Sequence, residues 1–248
     1  MTREEFVAKF EGTAVKAAGI LKAQDIARAE MESLKKYLRP GLTREEIHAF
    51  AEQDMLSMGS EGWWIHNDPA LVLFGALTTY SAREDAGSRF DGKVVQENDI
   101  VTVDVAPTVD GGWGDLCRAF FLQDGVVTDW QQLRNDHWRE GMEFEQQLHR
   151  EAVAFVDEHT TFHQLHAHID AILKARGWHN CDYHGNFGHT IENDQKDRVT
   201  IVAGEHRCIA AYGKPITFEP HICKDGEQTG FKHEIMYVFH EGKLVEVP

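Results

Sequence analysis

The chain has 248 residues, of which 42% are hydrophobic and 27% are charged, a composition typical of globular proteins and not of disordered chains. Its 41 acidic and 25 basic residues give a formal charge of −16, which opposes binding to nucleic acid, because phosphate contacts require Lys and Arg. The amino terminus is acidic where a secretory signal would be basic and then apolar, and no apolar run approaches the ~18 residues of a membrane span. We therefore expect a cytoplasmic protein that binds neither nucleic acid nor membranes.

The cysteines predict neither a disulfide framework nor a thiolate zinc site. Four cysteines are spread along the chain without a Cys-x-x-Cys pair, namely Cys117, Cys181, Cys208 and Cys223. In a chain of this length, such cysteines are typical of reduced buried thiols.

The first sixty residues predict helices. Residues 4–37 carry apolar side chains at helical spacing, which predicts one or two helices that end before Pro40. Thr43 and Glu46 then form a capping box, in which each side chain satisfies a free amide of the other residue. We expect the helix that begins there to extend to about Met58.

A β-hairpin is predicted to follow. Residues 70–75 and 99–105 are rich in branched apolar side chains and are bounded by turn-forming residues, as in buried strands. The glycines within 109–112 favour a hairpin turn, after which residues 113–122 return as the partner strand.

The second half predicts two helices and then several strands. Amphipathic patterns indicate helices over 129–156 and 161–175, the second capped by Thr160 or Thr161. Short turn-bounded runs predict strands over 199–202, 215–219, 231–239 and 244–247. The order of helices, strands, helices and strands predicts an α+β fold with two similar halves. A possible midpoint lies near 124–128, and we expect residues 1–248 to form a single domain.

Two acidic residues stand out in the predicted hairpin. Asp104 lies among apolar strand residues, where an unpaired carboxylate would cost several kcal/mol to bury. Asp115 lies across the turn, close enough in a paired ladder to face the same point. Two converging carboxylates indicate a cation, either a metal ion or the side chain of Arg118.

The same anomaly occurs twice more. Glu219 and Glu234 also lie within apolar strand patterns, and His189 adds a nitrogen ligand. Four carboxylates and one imidazole suit a pair of divalent metal ions such as Mn²⁺, Co²⁺, Fe²⁺ or Zn²⁺, held by bridging carboxylates.

These residues stand in motifs that resemble those of the methionine aminopeptidase, prolidase and aminopeptidase P superfamily. Residues 98–104 (Asn-Asp-Ile-Val-Thr-Val-Asp) resemble its Gly-Asp-x-Val-x-x-Asp strand, and 114–120 (Gly-Asp-Leu-Cys-Arg-Ala-Phe) its Asp-x-x-Arg-x-Phe motif. Residues 230–234 (Gly-Phe-Lys-His-Glu) resemble its Gly-Val-Arg-x-Glu motif, and 38–47 the opening of its catalytic domain. The likeness extends from about residue 20 to the end.

The resemblance implies a pita-bread fold, with two α+β halves related by a pseudo-twofold axis and the metal ions between them. It assigns Asp104 to one ion, His189 and Glu219 to the other, and Asp115 and Glu234 to both. Glu219 would also transfer a proton. By this likeness residues 1–248 form one catalytic domain that begins with helices over about 1–37 and lacks the extra amino-terminal domain of aminopeptidases P.

The chain departs from the superfamily around the expected substrate site. The histidine that usually follows the first strand is missing, which makes Tyr80 a candidate hydrogen-bond donor. His184 and His189 are both candidate ligands, and we prefer His189 because its Gly-His context matches best, with His184 as a nearby catalytic residue. Further candidates replace the lost histidine or line the substrate pocket: His221, His233, His66, Trp63 and Trp64.

We therefore predict a metal-dependent hydrolase of the aminopeptidase or prolidase type, which activates a water molecule on two metal ions to cleave an amide or related C–N bond in a small substrate. Two alternatives remain open. One is a hydrolase or lyase that acts on a non-peptide small molecule, and the other is a non-catalytic peptide-binding module. The chain length and the acidic surface are compatible with a homodimer.

Overall fold

The computed structural model describes residues 1–65, 67–80, 92–182 and 184–248. The helices in these ranges are α1 (Arg3–Lys9), α2 (Ala17–Tyr37), α3 (Arg44–Ser57), α4 (Asp136–Phe155), α5 (Phe162–Ala175) and α6 (Ile209–Tyr212). The strands are β1 (Gly62–Trp63), β2 (Ala70–Phe74), β3 (Asp99–Val105), β4 (Pro107–Val109), β5 (Gly112–Trp113), β6 (Leu116–Gln123), β7 (Val126–Thr128), β8 (Trp178–Asn180), β9 (Ile216–Phe218), β10 (His221–Lys224), β11 (Gly230–Lys232), β12 (Ile235–His240) and β13 (Lys243–Glu246). Helices precede strands in each half of the chain, which confirms the predicted α+β class.

The described strands form four small antiparallel sheets. The first half of the chain contributes a four-stranded sheet in the order β2-β3-β6-β7 and a three-stranded sheet in the order β1-β4-β5. The second half contributes two three-stranded sheets, β11-β10-β8 and β13-β12-β9. Among the described helices, none has the length and hydropathy that crossing a lipid bilayer requires.

Threonine caps begin several helices. The hydroxyl of Thr43 accepts a hydrogen bond from the backbone N–H of Glu46, whose carboxylate accepts one from the N–H of Thr43. This geometry confirms the predicted capping box. Thr161, and not Thr160, caps α5 with Gln164 as its partner.

Three predicted elements have different bounds in the structure. The helix predicted from residue 129 begins only at Asp136, because Asn135 accepts a hydrogen bond from the N–H of Trp138 and caps it there. Residues 199–202 do not form a regular strand. They pair with the irregular segment around Gly188 through an isolated bridge. The strand predicted over 231–239 is broken at residues 233 and 234 into β11 and β12.

Successive side chains of β3 face the hydrophobic core and a cavity in turn. Val101 and Val103 point into a hydrophobic cluster built with α2 and α3, which includes Leu34 and Ile47. Even-numbered residues of the strand point the other way, because successive strand side chains face opposite sides of a sheet. The polar residue Asp104 therefore lies on the face of β3 that is turned away from this cluster.

Glu30 is an ionisable residue inside that cluster. Its side chain projects from α2 toward Asp54 of α3 and is fully buried. Burial, together with the charge of Asp54, raises the pKa of Glu30 to about 9 from its usual value of 4.5. The folded protein therefore holds a proton on Glu30 at neutral pH.

Replacement of Glu30 by Gln is expected to stabilise the protein above about pH 5. The raised pKa of Glu30 contributes full stability below pH 4.5, and this contribution is lost as the pH rises toward 9, because only the unfolded chain then releases the proton. An amide has no proton to lose, and it can donate to Asp54. Chemical denaturation should show a gain of about 1–3 kcal/mol for Glu30→Gln at pH 8 and a smaller gain at pH 5. Exposed Glu32→Gln is the control, and a pH-independent difference would contradict the prediction.

Candidate metal centre

A cavity of about 450 Å³ lies where the two halves of the chain meet. Thr102 and Asp104 of β3 reach it from the amino-terminal half, since they lie on the strand face turned away from the apolar cluster. The other polar and aromatic residues in its wall that bear on function are Trp64, Tyr80, Asp115, His184, His189, Arg198, Glu219, His221 and Lys232. The cavity has the volume of an ordinary small-molecule site.

Asp115 enters this cavity from a break between strands. In the β3–β6 ladder, the residue opposite Asp104 is Cys117. Asp115 lies two residues before Cys117, between β5 and β6, so strand alternation places its side chain on the same face as Asp104. Gln24 of α2 holds the break open, because its amide accepts from the N–H of Asp115 at 3.0 Å and donates to the Asp115 carbonyl at 3.1 Å.

Close contact between the backbones of α2 and the hairpin also fixes the break between β5 and β6. A β-carbon on Gly114 would lie 2.5 Å from the carbonyl oxygen of Ala23, so α2 can pack this tightly only against a glycine. Asp115 thus stands where the hairpin and α2 are pressed together, and its carboxylate is carried on a rigid backbone.

His189 and Glu219 are brought together by a second close approach. A β-carbon on Gly188, whose φ is +138°, would lie 2.2 Å from the carbonyl oxygen of Thr217. The segment around Gly188 pairs with β9, since Thr217 N–H donates to the His189 carbonyl at 2.7 Å and Glu219 N–H donates to the Phe187 carbonyl at 2.9 Å. The Gly-His pair in the sequence is therefore required by geometry.

Glu234 lies in the break between β11 and β12. The guanidinium of Arg118 donates to the carbonyls of Glu234 and of Cys117, so it binds the backbone and does not form an ion pair with Asp104 or Asp115. His149 of α4 donates from Nε2 to the carbonyl of His233 and accepts a hydrogen bond from the Tyr237 hydroxyl, both at 3.0 Å. Burial lowers the pKa of His149 to about 4, so the ring is neutral, as these bonds require.

The five predicted ligands converge. Asp104, Asp115 and Glu234 each offer an oxygen within 4.8 Å of the others. Nε2 of His189 lies 3.3 Å from Oδ2 of Asp115 and 3.6 Å from Oε1 of Glu219. The Nδ1 atom of His189 donates to the Thr190 carbonyl at 3.0 Å, which leaves Nε2 as the lone-pair nitrogen facing the carboxylates.

The donor set fits divalent metal ions. Oδ2 of Asp115 and both carboxylate oxygens of Glu234 are buried and lack a hydrogen-bond partner among the described residues. Burial, reinforced by the neighbouring carboxylates, raises the pKa of both groups well above the usual value. Orphaned buried oxygens of this kind are uncommon unless they bind an ion, and carboxylates with an imidazole suit hard or borderline divalent ions.

Lys232 is a residue of this site that the sequence analysis missed. Its Nζ atom lies 2.6 Å from Oδ2 of Asp104 and 2.7 Å from Oε2 of Glu219. Burial acts to lower the pKa of Lys232, but the charges of Asp104 and Glu219 outweigh it, and the pKa rises well above its usual value. The signal was present, because Lys232 occupies the arginine position of the superfamily's Gly-Val-Arg-x-Glu motif.

Three further candidates lie in the cavity wall. His184 is exposed there, and Tyr80 is 47% exposed at the rim. His221 is buried, and its Nε2–H donates to the Thr78 carbonyl at 2.5 Å. Burial lowers the pKa of His221 to about 4, so it is neutral at physiological pH.

The paired tryptophans have separate environments. Trp64 borders the cavity, stacks on Trp113 at 4.7 Å between ring centroids, and meets the ring of His189 edge-on. Trp63 packs instead against the cluster of α2 and α3, because the next residue along a strand faces the opposite side. His233 is half-buried beside His149 and does not line the cavity, and His66 lies outside the described residues.

The family to which the sequence belongs agrees with this geometry. The mixed helices and antiparallel sheets around the cavity define a pita-bread fold. The family model of metallopeptidase family M24 matches residues 18–241, and the chain belongs to this family. The family match supports a metal-dependent, peptidase-like hydrolase. No curated protein sequence matches the chain.

Solved structures share the fold at low sequence identity. The X-Pro aminopeptidase from Thermotoga maritima MSB8 superposes with a TM-score of 0.76 and 17% identity, covering 100% of this chain and 64% of that one. The prolidase from Pyrococcus furiosus gives 0.75 and 19%, covering 98% and 66%. The methionine aminopeptidase from Thermotoga maritima gives 0.68 and 12%, covering 93% and 95%. The chain thus spans just under two thirds of the length of the first two proteins.

Replacement of Lys232 by Met is expected to destabilise the metal-free protein. It removes the ammonium that joins Asp104 to Glu219, and loss of one partner from a buried ion pair costs about 3–5 kcal/mol. Denaturation in the presence of a chelator should reveal this loss. Lys196→Met removes an exposed pair with Asp194 and should change stability by less than about 1 kcal/mol. Equal stability of the two variants would show that Lys232 does not neutralise the cluster.

Proposed function

We propose that this protein is a dinuclear metallohydrolase that cleaves an amide or related C–N bond in a small substrate. The observation that carries the proposal is the convergence of four carboxylates and one imidazole at a single site, with three of the carboxylate oxygens lacking a hydrogen-bond partner among the described residues. The match to the metallopeptidase family supports it.

The proposed ligands divide between two positions. Asp104, Asp115 and Glu234 surround one position, and Asp115, His189 and Glu219 surround the other, so that Asp115 is shared. A pair of divalent ions bound there would supply the Lewis acidity that activates a water molecule and polarises a scissile carbonyl. Mn²⁺, Co²⁺, Fe²⁺ and Zn²⁺ all suit this set of ligands.

Glu219 is the proposed proton carrier. One oxygen, Oε1, lies on the His189 side, while Oε2 accepts from Lys232 at 2.7 Å. The hydroxyl of Thr217 also donates to Oε1 at 3.2 Å, so the carboxylate is held at both ends. A fixed carboxylate at the edge of the cavity can take a proton from an attacking water molecule and deliver it to the leaving nitrogen.

The cavity favours a short substrate. Trp64, Leu71 and Leu73 give it an apolar wall, and the guanidinium of the cation Arg198 lies over the ring of Trp64, 5.1 Å from its centroid. A dipeptide presents an apolar side chain and a carboxylate, and its scissile carbonyl would reach the acidic cluster between them. The similar solved structures include a prolidase and an X-Pro aminopeptidase, which makes peptides with proline the first substrates to test.

A non-peptide substrate is the second candidate. The segment that follows β2 carries Thr78, Thr79 and Tyr80 and lacks the histidine of superfamily peptidases, so the groups facing a scissile bond differ. A non-catalytic peptide-binding module is less favoured, because all five ligand positions are retained.

The first experiment is hydrolysis of peptides that begin with Met and of peptides with an Xaa-Pro bond, by protein reconstituted with Mn²⁺ or Co²⁺. Asp104→Ala should abolish turnover and lower the metal content, because the variant loses a ligand. Asp110→Ala, which alters an exposed aspartate in the hairpin turn, is the matched control. If Asp104→Ala retained full activity and metal content, the proposed centre would be wrong. Cleavage of none of the peptides by metal-loaded protein would favour a non-peptide C–N substrate.

Tyr80→Phe separates catalysis from packing. If the hydroxyl at the cavity rim donates to the reacting carbonyl, its loss should lower kcat on the order of 100-fold while metal content stays constant. Steady-state kinetics and metal analysis of the same preparation measure both quantities. An unchanged kcat would assign Tyr80 to the wall of the cavity alone.

A further inference from the structure

We propose that His179, Cys181 and Cys223 form a zinc site on the sheet β11-β10-β8, separate from the acidic centre. One ligand atom from each residue lies within 4.8 Å of the others. The proposal does not depend on the hydrolase function, because none of these residues belongs to the carboxylate cluster.

Strand pairing assembles the three residues. His179 of β8 lies directly opposite Cys223 of β10 in the antiparallel ladder, and directly opposed residues share a sheet face. Cys181 is two residues beyond His179, so strand alternation returns it to the same face. The backbone N–H of Cys181 donates to the carbonyl of His221 at 2.7 Å, which continues the pairing past the end of β8.

A carboxylate orients the histidine. Oδ1 of Asp225 lies 2.8 Å from Nδ1 of His179. Histidine ligands of metal sites commonly donate one ring nitrogen to a carboxylate in this way, which fixes the tautomer and makes the other nitrogen a better donor to the metal. By this geometry Nε2 of His179 is the ligand atom.

The ligand chemistry selects the ion. Two thiolates and one imidazole favour Zn²⁺, which is borderline-soft and adopts tetrahedral coordination, over Mn²⁺ or Mg²⁺. Cys223 is buried, Cys181 is half-buried and His179 is exposed. The ion would therefore have three protein ligands and one position toward solvent, a geometry that permits exchange with zinc in solution.

The position suggests what the ion does. β10 begins at His221, which lies in the wall of the cavity, and ends next to the proposed zinc ligands. A zinc ion that joins β8 to β10 would restrain this short strand and stabilise the folded chain by an amount that rises with the logarithm of zinc concentration above the Kd.

The site was hidden in the sequence. The cysteines lack Cys-x-x-Cys spacing, and for that reason the sequence predicted no thiolate site. The three residues are close because β8 pairs with β10, about forty residues later in the chain. Neither β8 nor β10 was predicted as a strand.

The test is titration of the reduced full-length protein with Co²⁺, which replaces Zn²⁺ and reports thiolate ligands by a charge-transfer band in the near ultraviolet. The wild type should develop this band, and Zn²⁺ should displace it. Cys223→Ser should lose the band and bind one ion fewer. Cys208→Ser, which alters a cysteine elsewhere, should keep it, as should Cys117→Ser, in which the thiol nearest the acidic centre is removed.

Asp225→Asn provides a variant that leaves every proposed ligand in place. Loss of the carboxylate partner should weaken zinc affinity about 10- to 100-fold, measured by competition with a chromophoric chelator.

A thiolate band that persists in Cys223→Ser would overturn the proposal. So would a reduced wild-type protein that shows no such band, or unchanged zinc affinity in both Cys223→Ser and Asp225→Asn. A disulfide between Cys181 and Cys223 that forms in preference to zinc binding, detected by mass spectrometry, would also overturn it.

Discussion

Four carboxylates converge at one largely buried site, and the cost of bringing them together governs the surrounding structure. Each ionised carboxylate loses hydration on burial and repels the other three. Among the described residues, the ammonium of Lys232 contacts Asp104 and Glu219, whereas Oδ2 of Asp115 and both carboxylate oxygens of Glu234 have no hydrogen-bond partner. The pKa values of Asp115 and Glu234 are raised because burial and the neighbouring carboxylates disfavour their charged forms. A centre of this kind is most stable when further positive charge binds, and divalent ions provide it.

The carboxylates converge where two hairpins are interrupted. In the first half, Val105 pairs with Leu116 and the ladder resumes only between Thr108 and Trp113, so the break on the returning strand contains Asp115. In the second half, β9 pairs with β12 and β10 with β11, and both strands break where Glu219 and Glu234 lie. Regular strands would send neighbouring side chains to opposite faces. The register is the same on both sides of each break, so alternation places Asp115 on the face of Asp104, and Glu219 on the face of Glu234.

Sequence reasoning succeeded where a signal is local and failed where it depends on pairing. The capping box at Thr43 and the acidic residue within the apolar run of β3 are local, and both were predicted. The hydrogen bonds that Gln24 makes to the backbone of Asp115 were not, because the two residues are ninety-one apart in the chain. Lys232 was overlooked for a related reason, since a lysine next to an apolar strand is typical of a solvated surface until its partners are known. The start of α4 was misplaced because Asn135 caps it.

The proposed zinc site follows from the same interruption. Pro220 has no N–H to donate and cannot continue a ladder in the middle of a sheet. It separates β9 from β10, so that Glu219 is left at the corner and the strand after it joins a different sheet. The two sheets thereby receive different chemistry: oxygen ligands gather at the corner, and sulfur ligands gather at the far end of β10. Since Zn²⁺ prefers sulfur more strongly than Mn²⁺ does, the separation allows one chain to hold different ions in its two sites.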